Sequence, residues 1–106
     1  AGNYEKYFAK SKILQKMICD EFAKIFEKCD VILSPVLSKA AYKFGEERAD
    51  DFYTVPANIA GLPAISVPFG RNEINLPVGI QLIAKRFNDG KLLSLANAFE
   101  RERGDL

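Results

Sequence analysis

Asp51-Phe52-Tyr53-Thr54-Val55-Pro56-Ala57-Asn58-Ile59-Ala60-Gly61-Leu62-Pro63-Ala64-Ile65-Ser66-Val67-Pro68-Phe69-Gly70 encodes a short helix followed at once by a strand. Thr54 is a candidate N-cap, and Pro56 falls in a first helical turn, where its missing amide proton costs nothing. Gly61 followed by Pro63 is a stop signal, because glycine takes the left-handed conformation past a helix end at little cost. A helix over roughly 55–60 is therefore expected, with Asp51 just ahead of its N-terminus. Ile65, Val67 and Phe69 then alternate with Ala64, Ser66 and Pro68, the period of a strand with two unlike faces. Proline cannot donate to a ladder, so Pro68 belongs near a strand end or a bulge.

Downstream, Val78-Gly79-Ile80-Gln81-Leu82-Ile83 alternates as well. The link Arg71 to Pro77 is short and polar enough for a hairpin loop, which predicts two antiparallel strands. Asn88 or Asp89 is expected to cap a last helix with Leu92, Leu95, Ala96 and Phe99 on one face and Arg101 and Arg103 in its final turn, where positive charge suits the dipole. Upstream, Tyr4, Tyr7, Phe8, Leu14, Ile18, Phe22, Ile25, Phe26 and Cys29 recur at steps of three and four, with lysines on the other faces. That spacing predicts an amphipathic helix of about seven turns. Asp20 and Lys24 stand at i, i+4 in the favourable order. The aromatic stripe is expected to pack on the protein's own sheet; the other reading is a face for a partner. Val31-Ile32-Leu33-Ser34-Pro35 reads as a buried strand ended by proline, and residues 36–50 as a long polar connection.

The order helix, strand, long loop, short helix, hairpin, helix defines an α/β chain. Three strands are few for an independent domain of that class, and two helices with apolar faces look like a portion of a larger layered fold. The 106 residues open Ala1-Gly2-Asn3 with no methionine before Met17. We expect the end of a longer polypeptide, or a processed or engineered piece.

Composition excludes several chemistries. The chain has no histidine, so it cannot by itself supply a Ser-His-Asp triad, a Cys-His pair or a histidine metal site. Its net charge of +1 argues against an electrostatic nucleic-acid binder. No apolar run approaches the ~18 residues of a membrane helix, so no membrane contact is expected and a cytoplasmic setting is. Two cysteines fit a reducing compartment. If Cys19 and Cys29 share one helix they stand ~15 Å apart, too far for a disulfide, and both are expected as small buried apolar groups.

Among the serines, Ser34 precedes a proline and Ser66 lies within a strand; neither sits in a nucleophile elbow. Asp50 and Asp51 are adjacent, and adjacent side chains of an extended chain point apart, so a carboxylate pair is disfavoured. Asp51, where the polar loop meets the helix, can either cap backbone amides or receive a ligand's ammonium group.

The segment Asp51 to Gly70, with Leu76-Pro77-Val78-Gly79-Ile80-Gln81-Leu82-Ile83-Ala84, resembles the C-terminal region of the amidase signature family. Ala1 to Phe8, Asp30 to Pro35 and Leu92 to Glu100 look like its tRNA-dependent amidotransferase branch. The resemblance implies an α/β/α fold on a mixed sheet, with residues 1–106 as the C-terminal part of a single amidase domain. It implies amide hydrolysis by a Ser-cis-Ser-Lys triad that releases ammonia from glutamine. The ammonia then passes to a partner subunit, which holds ATP and magnesium and amidates Glu-tRNA(Gln) within the complex. The Gly/Ser-rich signature segment, both serines and the lysine belong to the family's earlier region, outside this chain. No catalytic residue, metal ligand or cofactor is therefore assigned to it, and the chain alone is expected to be inactive. One role carries over: Asp51 occupies the place of the aspartate that holds glutamine's α-amino group. The connection from Gly45 to Asp51 is shorter than the family's and lacks its proline-containing segment. The alternatives are a segment of another amidase acting on small amides, or a stand-alone interaction module.

Overall fold

The computed structural model describes residues 2–37, 40–46 and 52–106. Six elements follow in order: α1 (Gly2–Phe26), β1 (Val31–Pro35), α2 (Val55–Ala60), β2 (Ala64–Arg71), β3 (Pro77–Ala84) and α3 (Asp89–Arg103). The strands form one sheet in the order β1-β3-β2, and both pairings are antiparallel. The last strand is thus the central one. Val31 pairs with Ala84 and Pro35 with Ile80 on one side of it, while Ala64 pairs with Ile83 and Arg71 with Pro77 on the other. The register of β2 slips between Pro68 and Gly70, so the irregularity sits where proline removes a ladder donor.

The pleat sends alternate residues of β3 to opposite layers. Leu82 and Ala84 join Val67 of β2 and Leu92 and Ala96 of α3 in one buried cluster, flanked by Val31, Ile65, Ile80 and Phe99. Ile83 faces the other way and packs with Phe26 of α1 and Ala57 of α2, flanked by Phe22, Cys29, Ile32 and Leu62. The described chain is therefore a three-layer α/β/α arrangement, with α3 on one face of the sheet and α1 with α2 on the other. Phe69, at the slip, stacks on Phe99 at 6.4 Å, and Arg103 donates to the Pro68 carbonyl, so α3 reaches β2 as far as its irregularity.

Several local expectations need correction. The α1 stripe packs on the fold only in its last turns. Phe26 is buried and Phe22 half-buried, but Tyr4, Tyr7, Phe8, Leu14 and Met17 are each more than half exposed. The sheet is too narrow to reach the first half of a 25-residue helix. Cys29 lies beyond the helix end, and both cysteines are free and half-buried rather than buried. Lys24 pairs with Glu21 at 3.3 Å instead of Asp20, an exposed contact of small energetic consequence. Thr54 and Asn88 occupy N-cap positions without a side-chain capping bond. At Asn88 the backbone carbonyl takes the first helical bond, from the Leu92 amide at 3.0 Å. Leu95 lies at the margin of the α3 apolar face and stays exposed.

Candidate functional site

The sheet face shared by α1 and α2 carries one polar row. Register places Ser34 of β1 and Ser66 of β2 directly opposite Gln81 of β3. Gln81 is 5% exposed, the one polar side chain among the described residues in the buried class. Its Nε2 donates to Tyr53 O at 2.7 Å and to Ser34 Oγ at 3.0 Å. The Ser34 hydroxyl in turn donates to the Pro35 carbonyl at 3.0 Å. A carbonyl can only accept, so Tyr53 O requires the amide nitrogen, not its oxygen, on that side. Both N–H groups of Gln81 are thereby used, which a buried carboxamide needs.

Tyr53 belongs to the turn 52–54 that leads into α2, and its ring meets Phe52 edge-on at 5.2 Å. The far end of α2 is fixed more elaborately. Gly61 is left-handed at φ 69°, its amide donates to Asn58 O, and the Leu62 amide reaches back to Ala57 O at 3.0 Å. This is the double back-bond that closes a helix on glycine. Gln15 and Cys19 of α1 then donate to the Ile59 and Ala60 carbonyls, at 2.8 and 3.8 Å, which would otherwise lack helical partners. The short helix is held at its front by Gln81 through the turn, and at its back by α1.

Beside the polar row, Gly79 keeps the sheet open. A Cβ there would stand 3.2 Å from Ser66 Oγ and 3.5 Å from Val36 Cγ2. A cleft of about 260 Å³ lies over this point, lined by Val36, Ala40, Ala41, Ser66 and Val78. A second cleft, of about 430 Å³, runs between Cys19, Phe22, Ala60 and Leu62, with Lys85 and Arg86 at its border.

Asp51, the residue assigned to ligand binding, lies outside the described residues, as does Asp50. Of the two serines, Ser34 is tied to a carboxamide and a carbonyl, neither of which is a base. Among the described residues no group of three or more Cys, Asp or Glu side chains could hold a metal ion. No helix among them is long and apolar enough to cross a membrane. What the arrangement provides is placement: a rigid sheet centre that fixes the turn before α2. Sequence reasoning passed over Gln81. The available signal was a carboxamide inside the otherwise apolar run Ile80-Gln81-Leu82-Ile83, where burial demands partners.

The layered fold and the glycine-closed helix before β2 are those of an amidase: the amidase family model matches residues 1–93, and the chain belongs to that family. It is similar to the A subunit of glutamyl-tRNA(Gln) amidotransferase from Caldanaerobacter subterraneus subsp. tengcongensis, 45% identical over 95% of this chain and 22% of the relative. The protein of the same name from Thermotoga maritima is also 45% identical, and its crystal structure superposes with a TM-score of 0.85 over 95% of this chain and 24% of that one. The crystal structure of another amidase gives a TM-score of 0.79 at 26% identity, over 97% of this chain and 25% of that one. The chain thus spans about a fifth of the length of the curated relatives it matches.

Proposed function

We propose that this chain is the C-terminal segment of a glutamine-dependent amidotransferase subunit. It would supply sheet and one wall of the glutamine site, while the bond-breaking groups reside in the earlier part of the subunit. In this reading Asp51 receives the substrate's α-ammonium group. The ammonia released is used by the other subunits of the complex, with ATP and magnesium, to convert Glu-tRNA(Gln) to Gln-tRNA(Gln). The observation that carries the reading is the 45% identity to glutamyl-tRNA(Gln) amidotransferase relatives along 95% of the chain. The chemistry agrees with it: the chain has no histidine, and among the described residues the Ser34 hydroxyl is bonded to a carbonyl and a carboxamide, neither of which is a base.

The test has two arms. The isolated 106-residue chain should release no ammonia from glutamine; clear turnover without added protein would refute the reading. In the full-length subunit, Asp51→Asn should raise the glutamine KM by the equivalent of about 1.5–3 kcal/mol, the loss of a charged hydrogen bond. An unchanged KM would remove Asp51 from the site.

A further inference from the structure

Backbone parity decides what each edge of the sheet offers. The Ala84 amide donates to Pro63 O at 3.0 Å, so Ala84, Leu82 and Ile80 turn their peptide groups toward β2. Hydrogen-bonded and non-hydrogen-bonded pairs alternate along an antiparallel ladder, so Ile83 and Gln81 turn theirs toward β1. Their partners Ile32 and Ser34 close that ladder, and Val31 and Leu33 direct their peptide groups away from it. On the other edge the outward residues are Ala64, Ser66 and Pro68.

The two edges are finished differently. Pro68 has no amide proton to offer, its outward carbonyl accepts from Arg103, and the register slips beside it. Proline, a charged side chain and a bulge are devices that close an edge. Ile65 and Val67, the side chains of β2 on the α3 face, are packed into the core. On β1, Leu33 stands opposite Leu82, and opposed side chains share a face. Leu82 is 4% exposed under α3, whereas Leu33 beside it is 64% exposed. Among the described residues no hydrogen bond reaches the Leu33 peptide group from its outer side. An outward donor and acceptor with an uncovered apolar side chain is what an added strand engages. The chain spans about a fifth of the relatives it matches, which leaves ample polypeptide to supply one. We propose that the sheet ends at β2 and continues past β1: a strand from the earlier part of the same subunit pairs with Val31 and Leu33 and sets an apolar side chain beside Leu33. The proposal rests on the reading of this chain as the C-terminal segment of a longer subunit.

The experiment uses the full-length subunit. Amide hydrogen exchange read at single residues should be about 100-fold slower at Leu33 than at Ser66, although both amides point out of the three-stranded sheet. Equal exchange at the two positions, whether fast or slow, overturns the proposal. A photo-crosslinking side chain, introduced as Leu33→p-benzoylphenylalanine, should couple to the part of the subunit that precedes Ala1. Coupling within residues 1–106, or to a second copy in a dimer, overturns it as well. If that variant does not fold, exchange in the unmodified subunit decides. Intact mass of the native protein tests the underlying reading separately. A polypeptide of only 106 residues has no earlier part, and both the reading and the proposal fall. A longer one in which Leu33 exchanges as fast as Ser66 loses the proposal alone.

Discussion

Gly61 and Gly79 show how two glycines in one motif are constrained by different physics. Gly61 must adopt φ 69°, where a side chain collides with its own backbone, although nothing lies within 4 Å of the place a Cβ would take. Gly79 has ordinary backbone but a neighbour at 3.2 Å, the Ser66 hydroxyl, which is exposed and can turn away. Conformation should cost more than crowding here. Gly61→Ala is expected to destabilise the full-length subunit by about 1 kcal/mol or more, and Gly79→Ala by less. Urea unfolding of both variants checks the order, and the reverse ranking would show that the space above β3 is tighter than its exposed lining suggests. The glycine at 61 was readable from the sequence because the helix stop is local: Gly, then Pro two residues on. For Gln81 the apolar run signals burial, but its partners were not readable, because they stand 28 and 47 positions away and become neighbours only once the register is set.

Elements were legible to the extent that their periodicity is local. The 3.6-residue recurrence from Tyr4 to Phe26 marks α1, and the alternation in β2 and β3 marks the hairpin, including the disturbance at Pro68. What covers each face is a different question, since hydrophobic spacing records only that some surface is present. The lower turns of α1 meet Ala57 and Ile83 through Phe26, whereas its upper turns leave Tyr4, Phe8 and Met17 open. The place of Asp51 within the fold lies outside the described residues. Unequal contributions along one helix follow. Phe26→Ala should cost about 3–5 kcal/mol by opening a cavity. Phe8→Ser should cost less than about 0.5 kcal/mol if nothing beyond the described fold packs on it. A larger loss at Phe8 in the full-length subunit than in the isolated chain would show that the rest of the subunit seals the upper turns.

As a whole, the molecule is more extended than its length requires. Its radius of gyration is 16.8 Å, against about 13 Å for a compact chain of this size. Its accessible surface is 8,284 Å², where roughly 5,900 Å² is typical of a monomer of this mass. The excess carries large apolar side chains on α1. In isolation the chain is expected to bind a hydrophobic dye and to self-associate in sedimentation, with a broad thermal transition. A sharp, concentration-independent melt of a monomer would contradict this and favour a stand-alone module. The strand order has a consequence for biosynthesis. Because β3 lies between β1 and β2 yet is encoded after both, a nascent polypeptide halted before Pro77 has made two strands and neither of their native pairings. Synthesis must therefore run through Ala84 before either ladder among the described strands can close, and until then both β1 and β2 wait with the edge meant for β3 unpaired.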